Sequence, residues 1–501
     1  MASPAVNTPA RGLRAGALGL LDAAVMAVAG SAPAYSIAAS TAALAAAVGV
    51  AGPASLLYCG IPMLGIAVAF SYLNRLGASA GASYAWVGQV LHPVLGFLAG
   101  WALITSATIF MVAACLPAGS VTLGLFSGHL AADPRLVILA GSVWFAAMVT
   151  LAILGIRLSV RAQWIMSGTE ITILILFAAL TLLHASRHPH VAFSWSWLGF
   201  SHFTGLGGFA AGALVASFYY WGWDVSSNLG EETRNSRRSA GLAGIISVLI
   251  IFALFEVFTI AVNMSLPDAR IQRSAGDILA VLGQDAWPGA GGKLLVIAVM
   301  LSTIGNLQTS LIQVTRTMFA MARDRTLPAC LAWIHPHRKT PWLATAVVAA
   351  VSLALFTGSN FIGSVGHILS DAIDAIGLQI AVYYGLAGLT VVVAFRRLLL
   401  KSARYFFLAG LWPLTGALFM FWILAESVPA HRGIVDAVGL GTLALGAIPL
   451  VVYWARGSAY LRQRPTLGRV PPGSQPPAAA ARRMRHHRAP GWAARRDQAK
   501  G

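Results

Sequence analysis

The chain has 501 residues, 57% hydrophobic and only 10% charged, against about 25% charged in soluble globular domains; this excludes an ordinary soluble enzyme. A mean hydropathy of +0.74 over the whole length points to a membrane protein rather than to the roughly three soluble domains that length alone suggests. The formal net charge of +18 raises nucleic-acid binding, but ten Lys or Arg against the single acid Asp497 between Gly457 and Gly501 place +9, half of it, on a tail.

In chain order, residues 1–17 form a short polar segment carrying Arg11 and Arg14, with no clear cleavage site in the apolar run that follows. They read as a retained cytoplasmic segment rather than a signal peptide. Residues 18–455 form the transmembrane domain, which polar breaks divide into twelve candidate spans of the ~20 apolar residues a bilayer requires. These are 18–48, 53–73, 93–126, 135–156, 162–184, 205–229, 240–262, 291–321, 342–358, 361–394, 404–425 and 434–455. With the first end inside, 28 of the 34 basic residues fall on the inner side and six on the outer. That asymmetry predicts a multi-pass protein of the cytoplasmic membrane with both termini in the cytoplasm.

Two connections are longer than a turn. Residues 74–92 read as an interfacial or re-entrant inner segment, and residues 263–290 as an outer loop holding a short helix. Residues 456–501, rich in Pro, Arg, Gln and Ala, are expected to be disordered. Cys59, Cys115 and Cys330 are far apart, and neither a disulfide framework nor a metal site is expected from them.

The first span reads VMAVAGSAPAYSIAAST, with Gly30, Ser31, Ala32 and Pro33 interrupting its centre. Proline lacks the N–H of an unbroken helix, so the alternatives are a kink in a continuous helix or an unwound turn buried against protein. The sixth span reads GALVASFYYWGWDVSSNLGEETRN, with Gly222 between two Trp and Asp224 close behind, which marks a second break. Interrupted helices five spans apart are expected of an inverted-repeat transporter whose binding site lies near the membrane midplane. Amide groups freed around Ala34, Tyr35 and Ser36 would offer a positive dipole end to a carboxylate. Carbonyls around Phe218, Tyr219, Tyr220 and Trp221 would accept from an ammonium. An α-amino acid supplies both partners.

Four segments in order resemble the amino acid/polyamine/organocation (APC) family of permeases: GSAPAYS, AGASYAWVGQVLHPVLGFLAGW (80–101), YYWGWDVSSNLGEETRN and TRTMFAMARDRTLPACLAWIHPHRKTPW (315–342). Ala32 replaces the second Gly of the family's common GSG, Pro33 follows it, and Ser236 stands where Pro is usual. The resemblance implies an all-α polytopic fold of the LeuT type: twelve transmembrane helices, a 5+5 inverted repeat with helices 1 and 6 broken, and two further helices. It also implies Phe218 as the proximal aromatic gate, four residues before Gly222, and assigns Asp224 to the acid two residues after it. Some members of the family carry a Lys in the fifth helix that stands in for sodium, and Glu170 lies at about the matching place.

An ionisable residue as deep as Glu170 is costly in a membrane and reads as functional: it carries a coupling proton or helps bind a cation, the alternative being a neutral acid hydrogen-bonded between helices. Ser302, Thr303, Asn306, Thr309 and Ser310 make the eighth span unusually polar; hydroxyls there, Thr309 and Ser310 in particular, line a cation site or serve as interhelix glue. Glu256 is open in the same way between buried pairing and function. Asp371 and Asp374, with His367 one turn earlier, form an outer vestibule or a solvated helix start. The basic inner loops suit anionic lipid rather than nucleic acid.

The expected function is secondary transport of an amino acid or related amine by alternating access, coupled to a proton, or alternatively to sodium. The alternative transport reading is ion-independent amino acid or polyamine exchange. A membrane-embedded enzyme is the reading from another class; it lacks HExxH, a paired His/Asp cluster and a Ser/His/Asp arrangement. No cofactor and no metal are expected.

Overall fold

The computed structural model describes residues 12–274, 276–359, 365–430 and 434–465. The first eleven residues, the basic tail beyond 465, and the side chains of His367 and Asp371 lie outside the described residues. What is described is almost wholly helical, with one isolated parallel bridge between Leu18 and Thr233.

The first interrupted segment is α1 (Leu20–Ser31) and α2 (Pro33–Val48), followed by α3 (Gly52–Leu76), α4 (Ser83–Val90) and α5 (Pro93–Gly124). A short α6 (Gly128–Ala132) leads to α7 (Pro134–Leu154) and α8 (Ile156–Arg187). The second interrupted segment is α9 (Gly205–Tyr219) and α10 (Val225–Asn228), and α11 (Ser236–Ser265) follows. The connection after it holds α12 (Asp268–Arg273) and α13 (Ile278–Ala286) before α14 (Gly291–Arg323). Then come α15 (Trp342–Ser359), α16 (Val365–Leu399), α17 (Ala403–Tyr405) running through a π-helical turn into α18 (Trp412–Ala430), and α19 (Ile434–Leu445), α20 (Ala447–Ala455) and α21 (Ala459–Arg462).

Local chemistry starts several of these helices. Pro33, Pro53, Pro93 and Pro134 occupy first-turn positions, where a missing N–H costs nothing. The Asp133 carboxylate accepts from the Arg135 N–H at 2.9 Å and caps α7. Nine described helical runs are long and apolar enough to cross a membrane; one of them, Leu20–Leu76, contains α1, α2 and α3 together. Gly205–Tyr219 and Trp342–Gly358 are shorter apolar helices. Each of the twelve apolar segments read from the sequence thus carries helix, and the connections at 74–92 and 263–290 hold α4, α12 and α13.

Apolar residues lie on both sides of these helices. Leu139, Ile165, Ile175 and Val451 are exposed on the outside, while Ser302, Gln308, Asp224 and Glu170 are buried inside. A globular protein in water would do the reverse; here the surroundings of the bundle are as apolar as its core, and the few polar groups gather where other protein groups satisfy them. The chain is a multi-pass membrane protein.

At the end of the bundle that carries most basic loops, the segment before α1 pairs with the segment after α10. The Leu18 N–H donates to the Glu232 carbonyl at 3.0 Å and the Arg234 N–H to the Leu18 carbonyl at 2.8 Å. The Arg316 guanidinium of α14 forms a fully buried ion pair with Glu232, its Nε 3.0 Å from Oε2. Arg323 makes a more exposed two-pronged pair with Glu231 at 3.1 and 2.9 Å.

Candidate functional site

The first break comes down to one residue. Ala32 adopts the left-handed conformation, with φ of 44° and ψ of 66°, at a cost on the order of 1–3 kcal/mol for a non-glycine residue. Its N–H still reaches the Val28 carbonyl at 3.1 Å, so α1 closes normally before the turn. Pro33 then opens α2 with no N–H to offer. The Ala34 N–H donates to Glu170 Oε1 of α8 at 3.0 Å, and the Tyr35 N–H to Ser302 Oγ of α14 at 3.1 Å. The Ser36 N–H returns to the Ala32 carbonyl at 2.8 Å, while its hydroxyl donates to the Ser31 carbonyl, also at 2.8 Å. The amides expected to face a substrate carboxylate are therefore held by protein groups, one of them a carboxylate on the positive end of the helix dipole.

The second break runs from Tyr220 to Asp224, between α9 and α10. Its Gly222 has φ of 93° and lies backbone to backbone against Gly30. A Cβ on either glycine would collide with the carbonyl oxygen of the other. Glycine is required at Gly222 twice over, by conformation and by space. The two interruptions, almost two hundred residues apart in sequence, thus touch.

The aromatic residues of the ninth helix and its break divide between two duties. Tyr219 shares a 2.9 Å hydrogen bond with the Thr41 hydroxyl of α2, and Tyr220 donates to the Leu56 carbonyl of α3 at 3.0 Å. Phe218 and Trp221 instead join Phe110 of α5, which meets Trp221 at 5.4 Å and Tyr35 at 5.9 Å between ring centroids. Trp221 Nε1 donates to the Tyr383 hydroxyl at 2.6 Å. The buried Tyr35 hydroxyl has no hydrogen-bond partner among the described residues.

Asp224 is fully buried and accepts two hydrogen bonds, from the Tyr384 hydroxyl at 2.9 Å and from Gln313 Nε2 of α14 at 2.8 Å. Gln313 also reaches Asn228 Oδ1 at 3.3 Å, and Asn228 donates to Thr317 at 3.0 Å and to the Ala80 carbonyl at 2.9 Å. Thr309 and Ser310 turn back on their own helix, to Asn306 Oδ1 at 3.4 and 2.9 Å. The hydroxyl of α14 that reaches the first break is Ser302, two turns earlier. Both carboxyl oxygens of Glu256 are buried without a hydrogen-bond partner among the described residues.

Gln313 and Tyr384 are additions of the tertiary structure. A signal for Gln313 exists in the sequence: Ser302, Asn306, Thr309, Gln313 and Thr317 are spaced by four, three, four and four, a polar stripe on one helix face. No such signal marks Tyr384. Among the described residues, no group of three or more His, Cys, Asp or Glu is placed to hold a metal ion.

Apolar helices enclose two touching breaks and a buried polar stripe, a polar centre inside a multi-pass membrane protein. The sequence model of the Amino acid permease family matches residues 18–436, and the chain belongs to that family. An uncharacterized transporter of Mycobacterium tuberculosis is 27% identical over 448 residues, covering 88% of this chain and 92% of its own. The branched-chain amino acid permease BcaP of Bacillus subtilis is 25% identical over 290 residues, 55% of this chain and 60% of its own. The serine/threonine exchanger SteT of the same organism is 23% identical over 390 residues, 75% and 81% respectively. These relatives are permeases and transporters of small molecules, in keeping with the resemblance to the APC permeases.

Proposed function

We propose that the protein is a secondary active transporter that moves an amino acid or related amine across the cytoplasmic membrane by alternating access, coupled to a proton. In this reading twelve spans form a LeuT-like 5+5 inverted repeat plus two helices, with both termini in the cytoplasm. The breaks at Ala32 and Gly222 are its binding centre, and Phe218 is the aromatic gate beside it. The relatives named for branched-chain and hydroxyl amino acids favour an α-amino acid, whose carboxylate goes to the α2 N-terminus and whose ammonium goes to the carbonyls around Phe218 to Trp221.

The observation that carries the coupling is the hydrogen bond from the Ala34 N–H to Glu170. A substrate carboxylate approaching the same amides meets an ionised Glu170 in competition for one donor, and two anions in a dry site repel strongly. A proton on Glu170 cancels that charge and weakens its hold on the amide, so proton and substrate carboxylate enter together. When the site opens to the other side and the substrate leaves, the carboxylate recaptures the amide and releases its proton there.

The test is uptake of labelled amino acids into proteoliposomes with pH and sodium gradients imposed separately. Glu170→Gln keeps an acceptor for the Ala34 N–H but cannot exchange a proton. The wild type should accumulate substrate when the outside is acidic, and the variant should keep exchange while losing gradient-driven accumulation. If Glu170→Gln retains pH-dependent, concentrative uptake, the proton role is wrong. Counterflow by the wild type that persists with both gradients collapsed, without accumulation under either, would make the protein an exchanger.

A further inference from the structure

Beyond the transport site, the structure holds a cavity of about 980 Å³ at the last turn of α14, walled on its other sides by α4 and by the segment from Tyr453 through α21. Its charged lining is Arg323, Arg325, Arg456 and Asp324, a net of two positive charges. Arg323 is committed to Glu231. The other two are not: Arg456 lies over the Tyr453 ring, 5.6 Å from its centroid, and among the described residues neither it nor Arg325 has a carboxylate within ion-pair distance. Arg325 also sits in the left-handed backbone region, with φ of 56°, a conformation a long side chain adopts at a cost on the order of 1–3 kcal/mol.

The wall formed by α21 is firmly placed. The Tyr460 ring stacks on Tyr84 at 4.6 Å and its hydroxyl donates to the Tyr84 carbonyl at 2.9 Å. That hydroxyl fills the space a Cβ would need at both Gly88 and Gly96. Ser458 donates to the Asp324 carbonyl at 3.3 Å. The α21 wall of the cavity is therefore tied to α4 and to the end of α14.

Two exposed guanidiniums without a carboxylate partner that line one roomy, open cavity are matched to a tetrahedral oxyanion, which accepts forked hydrogen bonds from arginine and neutralises adjacent positive charges. We propose that this cavity is a binding site for a phosphate group, held by Arg325 and Arg456. Two sources share that chemistry: the headgroup of an anionic phospholipid and a free phosphate. Either would tie α21 to the last turn of α14.

The experiment is thermal unfolding of the detergent-purified full chain, titrated with inorganic phosphate, with chloride at matched ionic strength, and with micelles containing phosphatidylglycerol or phosphatidylcholine. Wild type should gain saturable protection from phosphate or from phosphatidylglycerol but from neither control. Arg325→Gln and Arg456→Gln should each weaken the apparent affinity at least about tenfold, the loss expected for one charge-assisted contact. Arg135→Gln, a change at an exposed residue at the start of α7, should respond as wild type. Protection by phosphate alone identifies a free anion as sufficient; protection only by phosphatidylglycerol identifies the lipid headgroup. No protection by either, or equal protection of both cavity variants and wild type, overturns the site. If one variant does not yield folded protein, the other decides.

Discussion

Glu170 reaches from α8 across 136 residues of sequence to accept the Ala34 N–H at 3.0 Å. Next to it, Ser302 accepts the Tyr35 N–H at 3.1 Å. Together they make the first turn of α2 a filled site, and whatever binds there must displace them or work around them.

Ser302→Ala leaves the Tyr35 amide buried without its acceptor, which costs about 1–3 kcal/mol. The expected result is a lowered unfolding midpoint together with a raised KM for uptake. Thr309→Ala and Ser310→Ala remove hydroxyls that bond only within α14, and transport by these variants should stay within about twofold of wild type, as for changes worth ~0.5 kcal/mol or less. Equal KM values for the Ser302 and Thr309 variants would remove Ser302 from the site.

Gly222→Ala must accommodate both a φ of 93° and a collision with the Gly30 carbonyl, and Gly30→Ala meets the Gly222 carbonyl. Both should abolish uptake, by at least about 100-fold, equivalent to ~3 kcal/mol. Gly168→Ala is the companion measurement: nothing lies within 4 Å of the Cβ it adds to α8, and its helix should gain up to about 1 kcal/mol. Normal uptake by Gly222→Ala would show that the two breaks separate during transport far enough to admit a side chain.

Asp224 accepts from both Tyr384 and Gln313. In Asp224→Asn the side-chain amide can keep its oxygen toward Gln313 and present its NH₂ to the Tyr384 hydroxyl, which accepts as well as donates, so the change chiefly removes the charge. The prediction is an altered uptake rate or an altered dependence of rate on pH, measured against Tyr384→Phe, which removes one donor and leaves the charge. An unchanged profile in Asp224→Asn would demote the residue to a structural acid.

Breaking the buried Arg316–Glu232 pair from one side strands a charge. Arg316→Met or Glu232→Gln should each destabilise the protein by about 3–5 kcal/mol. The double variant Arg316→Met/Glu232→Gln should recover part of that loss, because no uncompensated charge remains. Denaturation of the four proteins in one detergent provides the thermodynamic cycle, and a double variant as unstable as the sum of the singles would show that the two residues are not coupled.

Much of the fold was legible in the residues because membranes impose a simple rule. A long apolar run must become a helix, since lipid satisfies no backbone group, and the helices follow the twelve segments closely. The breaks were legible as candidates because proline and glycine act locally at Pro33 and Gly222, but the residue type alone does not decide a break: Pro62 and Pro117 lie inside the continuous helices α3 and α5. The candidate acids were legible because charge is scarce in such a chain, so Glu170, Asp224 and Glu256 stood out by their type alone.

Which partner each acid has was not legible. Glu170 to Ala34, Asp224 to Tyr384 and Gln313, and Gly30 to Gly222 are contacts between residues far apart in sequence, decided by how helices rotate and stack against each other. The polar stripe of α14 does show which of its faces turns inward, but on helices with apolar residues on both sides no amphipathic pattern announces the rotation. By itself the sequence determined a membrane bundle with two interruptions and a short list of buried carboxyls. Only the tertiary structure decided that the interruptions touch, and that the amides freed by one of them are already held by a carboxylate.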